Sequence, residues 1–182
     1  MINKLIRKLY WHFCPIIKQA EKAGVLIGKN NEVQSHFWER AEPYLITIGD
    51  NCQITADVKI FTHGGGKAVR HISPQFDVFG KVKIGNNVYL GNNSLIMPGV
   101  TIGDNVLVAA GSVVTHSVPD NVVIGGNPAR ILCSLEEYYQ RNLPYNTETK
   151  GFSVKEKKKI LTELPDGMFV KKRLMEKNSP CR

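Results

Sequence analysis

The sequence predicts an all-β solenoid, a parallel coil of six-residue units with short helices flanking it at the N- and C-termini. Three observations predict it. Ile84, Leu90, Ile96, Ile102, Val108 and Val114 fall at a strict step of six. Val88, Ser94, Val100, Val106, Ser112 and Val118 hold the same phase four places on, and each is small or β-branched. Gly85, Gly91 and Gly103 directly follow their aliphatics, with Asn or Asp in the next places. A helix of period 3.6 cannot keep a six-step row on one face, and a strand of period 2 needs no glycine every turn. A short strand followed by a tight corner satisfies the pattern, with Gly and Asn or Asp expected to relieve the positive φ angles of the corner. Three units close a coil of about 18 residues, stacked on the next at roughly 4.8 Å. Each coil buries its aliphatics only when another covers it, so the repeat must form an array.

The elements follow in order. Asn3 to Phe13 places Leu5, Ile6, Leu9, Tyr10 and Phe13 at helical spacing among basic residues, and is read as a helix capping one end of the solenoid. The competing reading is a helix lying on a membrane surface. Ile27 and Val33 hint at a first partial coil; Ile48, Ile54 and Ile60, with Cys52 and Val58 in the second row, form an earlier block of the repeat. The period breaks after Ile60 and resumes near Val82. Ser134 with Glu137, and Ser153 with Glu156, have capping-box spacing, so a short helix is expected after each serine, with Asn142 to Gly151 as linker. The organisation is a helical cap over residues 1–24, a repeat domain over 25–132 with its loop at 61–83, and a helical extension and tail over 133–182.

Composition narrows the functional classes. The chain has 182 residues, is 42% hydrophobic and 22% charged, and contains no apolar run of the roughly 20 residues that span a bilayer. Lys4, Arg7 and Lys8 interrupt the first apolar stretch, which argues against a secretory signal and for a cytoplasmic protein. Cys14, Cys52, Cys133 and Cys181 are scattered, without metal-type pairs, and read as thiols in a reducing compartment. The net charge of +8 raises nucleic acid as a partner, but the excess lies at the ends, in Lys155 to Lys159, Lys171 to Arg173 and the first 22 residues. No recognition-helix or RNA-stacking motif accompanies it, so no nucleic-acid partner is expected.

Chemistry is expected where the period fails. The interruption begins Phe61-Thr62-His63-Gly64-Gly65-Gly66, and a loop of about 20 residues in a compact domain is usually functional or disordered. Glycines let a substrate approach the backbone, and histidine is the side chain best suited to taking a proton near neutral pH.

Ile84 to Val106 reads Ile-Gly-Asn-Asn-Val-Tyr-Leu-Gly-Asn-Asn-Ser-Leu-Ile-Met-Pro-Gly-Val-Thr-Ile-Gly-Asp-Asn-Val, and its sequel ends in Gly126-Asn127-Pro128-Ala129-Arg130. With these motifs the stretch from Ile46 to Leu132, about half the chain, resembles the hexapeptide-repeat acyltransferases. It looks most like those acetylating bacterial surface polysaccharides, xenobiotics or galactosides, and Glu42-Pro43-Tyr44 also looks like the polysaccharide subgroup. The resemblance implies a left-handed parallel β-helix, a hand opposed to the usual crossover rule. It implies acetyl-CoA as co-substrate, no metal, and a homotrimer with sites between subunits. By its position and its Thr-His-Gly-Gly context, His63 matches the family's general base, which takes the acceptor's proton and returns it to the leaving thiolate. His71, in the same loop, is the reserve candidate; His12 and His36 read as structural or exposed.

Many relatives carry Asp after the histidine, where this chain has Gly64. The sequence does not identify what would orient the ring instead, and Glu42 is no more than a guess. By motif match, Asn92, Ala110, Thr115 and His116 should line the CoA groove, with Arg130 near the adenine and phosphates. His116 stands where a lysine is usual and Cys133 where a second basic residue is frequent, which weakens the phosphate end. The acceptor implied is a sugar hydroxyl in a surface polysaccharide or its precursor. An antibiotic, serine or an amino sugar is the alternative, with a non-catalytic solenoid behind them. A zinc carbonic anhydrase would need three convergent histidines, and an acyl-carrier-dependent enzyme would differ in donor chain length.

Overall fold

The computed structural model describes residues 14–39 and 41–174. The expected helix over Asn3 to Phe13, with His12, lies outside them, as does Cys181. At the described N-terminal end α1 (Ile16–Ala23) ends at Gly24, whose φ of 112° lets its N–H reach back to the carbonyls of Ala20 and Glu21. β1 (Leu26–Ile27) and β2 (Glu32–Val33) follow as the partial first coil. β3 (Ile46–Ile48), β4 (Gln53–Ile54) and β5 (Lys59–Ile60) make the second coil. A long loop with a single helical turn, α2 (Gly66–Val69), precedes β6 (Val82–Ile84), β7 (Tyr89–Leu90) and β8 (Leu95–Ile96). β9 (Thr101–Ile102), β10 (Leu107–Val108) and β11 (Val113–Val114) form the next coil, and β12 (Val122–Gly126) turns back into β13 (Ala129–Ser134).

The chain visits three faces in rotation. β1-β3-β6-β9 make one, β2-β4-β7-β10-β12-β13 the second and β5-β8-β11 the third. Every pairing is parallel except β12 with β13. Register puts like on like: Ile48 beside Ile84 and Ile84 beside Ile102, Ile54 beside Leu90 and Leu90 beside Val108, Ile60 beside Ile96 and Ile96 beside Val114. The six-step row is therefore the inside of the coil, and these side chains are at most 3% exposed. At about 1.5–3 kcal/mol for each fully buried aliphatic, the stacked rows are the main stabilising element.

The corners correct one expectation. Asn51, Asn87 and Asn105 take the left-handed conformation, with φ of 55–57°, and the glycines two places before them do not. Those glycines answer a different demand. A Cβ on Gly85 would lie 2.3 Å from Asp104 Oδ1 and 2.7 Å from the Gly103 carbonyl. One coil on, a Cβ on Gly103 would lie 2.1 Å from Asp120 Oδ1. Whereas Gly99 and Gly111 do take positive φ, 82° and 71°, as the pattern predicts, at these corners close stacking selects Gly and the turn selects Asn. Between them, side chains satisfy backbone N–H groups across the coils: Asp50 accepts from Lys29 N–H, Asn86 from Asp50 N–H, Asp104 from Asn86 N–H and Asp120 from Asp104 N–H, at 2.7–2.8 Å.

Where the first coil lacks its third strand, Phe37 and Trp38 fill the gap. They are 3% and 7% exposed, their rings meet edge to face at 4.9 Å, and Ile60 N–H donates to Phe37 O. The chain divides into two compact units, Met1–Leu135 and Glu136–Arg182. Helix α3 (Leu135–Asn142) begins directly after Ser134. In the second unit α4 (Val154–Glu163) starts with a reciprocal capping box between Ser153 and Glu156, as the spacing predicts. No helix among the described residues is long and apolar enough to cross a membrane.

Candidate active site

The site grows from a corner that does not close. After β5 the chain begins an ordinary turn: Phe61 N–H donates to Ile96 O at 2.9 Å, and Thr62 is fully buried. It then leaves the coil. Gly80 N–H returns to Thr62 O at 2.7 Å and His63 forms an antiparallel bridge with Phe79, so the excursion has a pinned neck. Beyond the neck, Gly65 at φ 75° opens α2, and Arg70 ties the turn down by donating to Phe76 O at 3.1 Å and pairing with Asp77 at 3.6 Å. The loop is therefore a folded element that holds His63 at its base.

Glu42 meets His63 at that neck. Pro43 follows it, which holds Glu42 in extended backbone (φ −87°, ψ 98°) before the short turn Pro43–Leu45 that leads into β3. Its N–H donates to Thr62 Oγ1 at 2.8 Å, Thr62 Oγ1–H donates to Glu42 Oε2, and the same Oε2 lies 2.8 Å from His63 Nδ1. Burial pushes the Glu42 carboxyl up, but the hydrogen bonds from Thr62 and His63, with the histidine's charge, outweigh it and hold the group below its ordinary value. An ionised carboxylate only accepts, so Nδ1 carries the proton, and in the neutral form of the ring Nε2 is the nitrogen that presents a lone pair. The His63 side chain is 43% exposed, so that lone pair is within reach of a bound molecule. The residue named above only as a guess thus contacts the ring.

The other candidates divide. Thr115, His116 and Arg130 line one hollow of about 470 Å³, floored by aliphatic residues that include Val114, Ile124 and Ile131. Thr115 Oγ1 is 2.9 Å from His116 Nδ1, and Arg130 sits on β13 with Nη1 donating to Ala129 O. Asn92 and Ala110 lie elsewhere, exposed at the preceding corner and stacked one coil apart, where Gly111 N–H donates to Asn92 O at 2.8 Å. The pairing of β5, β8 and β11 puts His63 on the same edge of the coil as Thr115 to Ser117, two coils away, roughly 10 Å at the usual strand spacing. His71 lies exposed on the outer loop, and His36 packs against Trp38 at the other end. Among the described residues no three His, Cys, Asp or Glu side chains gather as a metal-binding group.

Parallel coils of three six-residue units, interrupted by a loop whose histidine is held by a carboxylate, are the features of a hexapeptide-repeat transferase. The bacterial transferase hexapeptide (six repeats) family matches residues 81–116. Protein CapG of Staphylococcus aureus is 53% identical over 142 residues, 75% of this chain and 81% of CapG. The galactoside O-acetyltransferase of Escherichia coli K12 is 35% identical over 117 residues, 60% of this chain and 57% of that enzyme. A solved hexapeptide-repeat acetyltransferase of Vibrio cholerae, complexed with acetyl coenzyme A, superposes with a TM-score of 0.51 at 29% identity, over 62% of this chain and 61% of that one. The chain belongs to the bacterial hexapeptide-repeat transferase family. It spans most of CapG and little more than half of the other two.

Proposed function

We propose that the protein moves an acetyl group from acetyl-CoA to a hydroxyl of a sugar in a surface polysaccharide or its precursor, in the cytoplasm. It does so as a homotrimer of left-handed coils, with His63 as general base. The Glu42–Thr62–His63 contact carries this reading, because it supplies what an alcohol acceptor needs. A neutral imidazole with Nε2 free removes the hydroxyl proton as the oxygen attacks the thioester carbonyl. The tetrahedral intermediate collapses, the C–S bond breaks, and the imidazolium returns the proton to the departing thiolate. Glu42 keeps the ring in the required tautomer and offsets the charge the ring gains on taking the proton. It acts through His63 and is a positioning residue.

Acetyl-CoA as donor accords with the acetyl-CoA complex of the Vibrio cholerae relative. Arg130, His116 and Thr115 offer a guanidinium, an imidazole and a hydroxyl to its phosphates in the hollow at β11 and β13. Its thioester arm then runs along the shared edge toward His63. The second wall of that groove comes from a neighbouring subunit. A sugar hydroxyl as acceptor accords with the galactoside O-acetyltransferase among the relatives.

The test compares wild type with His63→Ala for thiol release from acetyl-CoA across a panel of sugar, serine and antibiotic acceptors, with particle size measured for both. Loss of about a hundredfold or more in a variant of unchanged size supports the base. Full activity in the variant refutes it and moves the role to His71.

A further inference from the structure

The neck of the loop places one large apolar side chain beside the base. Phe79 pairs with His63 across the antiparallel bridge, and the two ring centroids are 5.8 Å apart with planes inclined by 58°. Phenylalanine is usually buried, yet Phe79 is 50% exposed. Its position is not an accident of a loose loop, because the backbone on both sides of it is held. Gly80 N–H donates to Thr62 O, and Asp77 pairs with Arg70. On the other side of His63 the backbone is open: a Cβ on Gly64 or on Gly65 would meet nothing within 4 Å. The site therefore has one apolar wall, one base and free space facing them.

That combination suits a pyranose ring. A sugar presents axial C–H bonds on its flat faces and hydroxyls round its rim. A flat apolar face packs on an aromatic ring, which carries negative charge on its face and so attracts the weakly positive C–H hydrogens. With a sugar seated on Phe79, its rim hydroxyls point sideways, and the His63 ring is close enough, 5.8 Å from the Phe79 ring between centroids, to meet one of them. We infer that Phe79 is the acceptor platform, which seats one face of the sugar ring and turns a rim hydroxyl toward His63 Nε2. It is a specificity-determining residue for cyclic over open-chain alcohols. The inference rests on the sugar-acetyltransferase reading above.

Kinetics of Phe79→Ala, Phe79→Leu and Phe79→Trp in the full chain test it, with pyranosides and an open-chain alcohol as acceptors. KM for the pyranoside rises about tenfold in Phe79→Ala and Phe79→Leu with kcat little changed, the pattern of lost uniform binding. Phe79→Trp restores it, because Trp offers a larger face than the native ring. KM for acetyl-CoA and the particle size stay as in wild type in all three. An unchanged pyranoside KM in Phe79→Ala overturns the platform, and so does rescue by Leu equal to that by Trp, which would mean space filling. A change in particle size or in acetyl-CoA KM also overturns it, since the side chain would then belong to a subunit or donor contact. If wild type acetylates no pyranoside at all, the sugar reading fails and the platform with it. Pyranoside turnover with an indifferent Phe79 sinks the platform alone.

Discussion

The corner after β9 and the corner after β5 start alike and end differently. Each begins with a buried isoleucine, Ile102 or Ile60, stacked on an isoleucine of a neighbouring coil, Ile84 or Ile96. After Ile102 come Gly103, Asp104 and Asn105, and every one of them meets the next coil: no room for a Cβ on Gly103, the Asp104 N–H donating to Asp120 Oδ1 at 2.8 Å, and the Asn105 amide donating to Asn121 at 2.9 Å. After Ile60 come Phe61, Thr62 and His63, and only the first two still serve the coil. The difference teaches how labour is divided along one chain. Stability comes from many equivalent parts, each needed because the next coil leans on it. The chemistry proposed for His63 belongs to a corner released from that periodic requirement.

The largest expected effect falls on the coil. Leu90 stacks between Ile54 and Val108 and is fully buried, so Leu90→Ala should cost about 2–5 kcal/mol of stability. Denaturant unfolding measures it, and a loss below about 1 kcal/mol would mean the rows are not the stabilising element. Next come the glycines, which let the comparison be made with one substitution. Gly85→Ala forces a Cβ into Asp104 and the Gly103 carbonyl and should cost about 1–3 kcal/mol. Gly64→Ala, in the loop, meets nothing and should stay within about 0.5 kcal/mol of wild type. Equal costs at the two sites would erase the distinction between coil and loop.

These same glycines mark how far the sequence was legible. The coil was readable because each layer repeats the demand of the last, so Ile84, Ile102 and their row advertise one face by spacing alone. The reason for Gly was not, since a φ requirement and a close approach leave the same letter; only the stacked Gly103 and Asp104 separate them. Phe37 and Trp38 carry no period, because they fill a gap that occurs once. At the site, His63 stood out by breaking the repeat amid glycines. Glu42 did not, since 21 residues separate it from His63 and the contact exists only after Pro43 and the β3 coil have turned the chain back. Phe79 was hidden for the same reason. Thr115, His116 and Arg130 were found by motif and meet in one hollow, whereas Asn92 and Ala110 lie one corner away.

A smaller effect belongs to the carboxylate that binds the loop to the coil. Glu42→Gln removes the charge opposite the imidazolium while keeping a similar shape, so kcat should fall about tenfold with KM for acetyl-CoA unchanged. The substitution also reports on stability. The folded value of Glu42 is depressed, so its contribution is present above the ordinary carboxylate value and is lost as pH falls through the folded one. Wild type should therefore melt above Glu42→Gln at neutral pH, and the gap should close below the ordinary carboxylate range. A gap that persists in acid would mean that the charge of Glu42 plays no part in it.

The smallest expected effect runs in the opposite direction and tests whether the coil is optimised at every place. Ser94 occupies the second row with Val88, Val100 and Val106, is fully buried, and its Oγ has no hydrogen-bond partner among the described residues. Ser112, at the same place one coil on, donates from its hydroxyl to Ala109 O at 2.6 Å. An unpaired buried hydroxyl costs about 1–3 kcal/mol of desolvation, so Ser94→Ala should raise stability by about 1 kcal/mol, while Ser112→Ala, which removes a made bond, should lower it by a similar amount. Thermal unfolding of the pair reads the difference directly. Opposite signs would show that the row tolerates a hydroxyl only where the corner accepts its proton. A loss at both positions would mean that Ser94 has found a partner in solution and that the row is better matched to its corners than its contacts indicate.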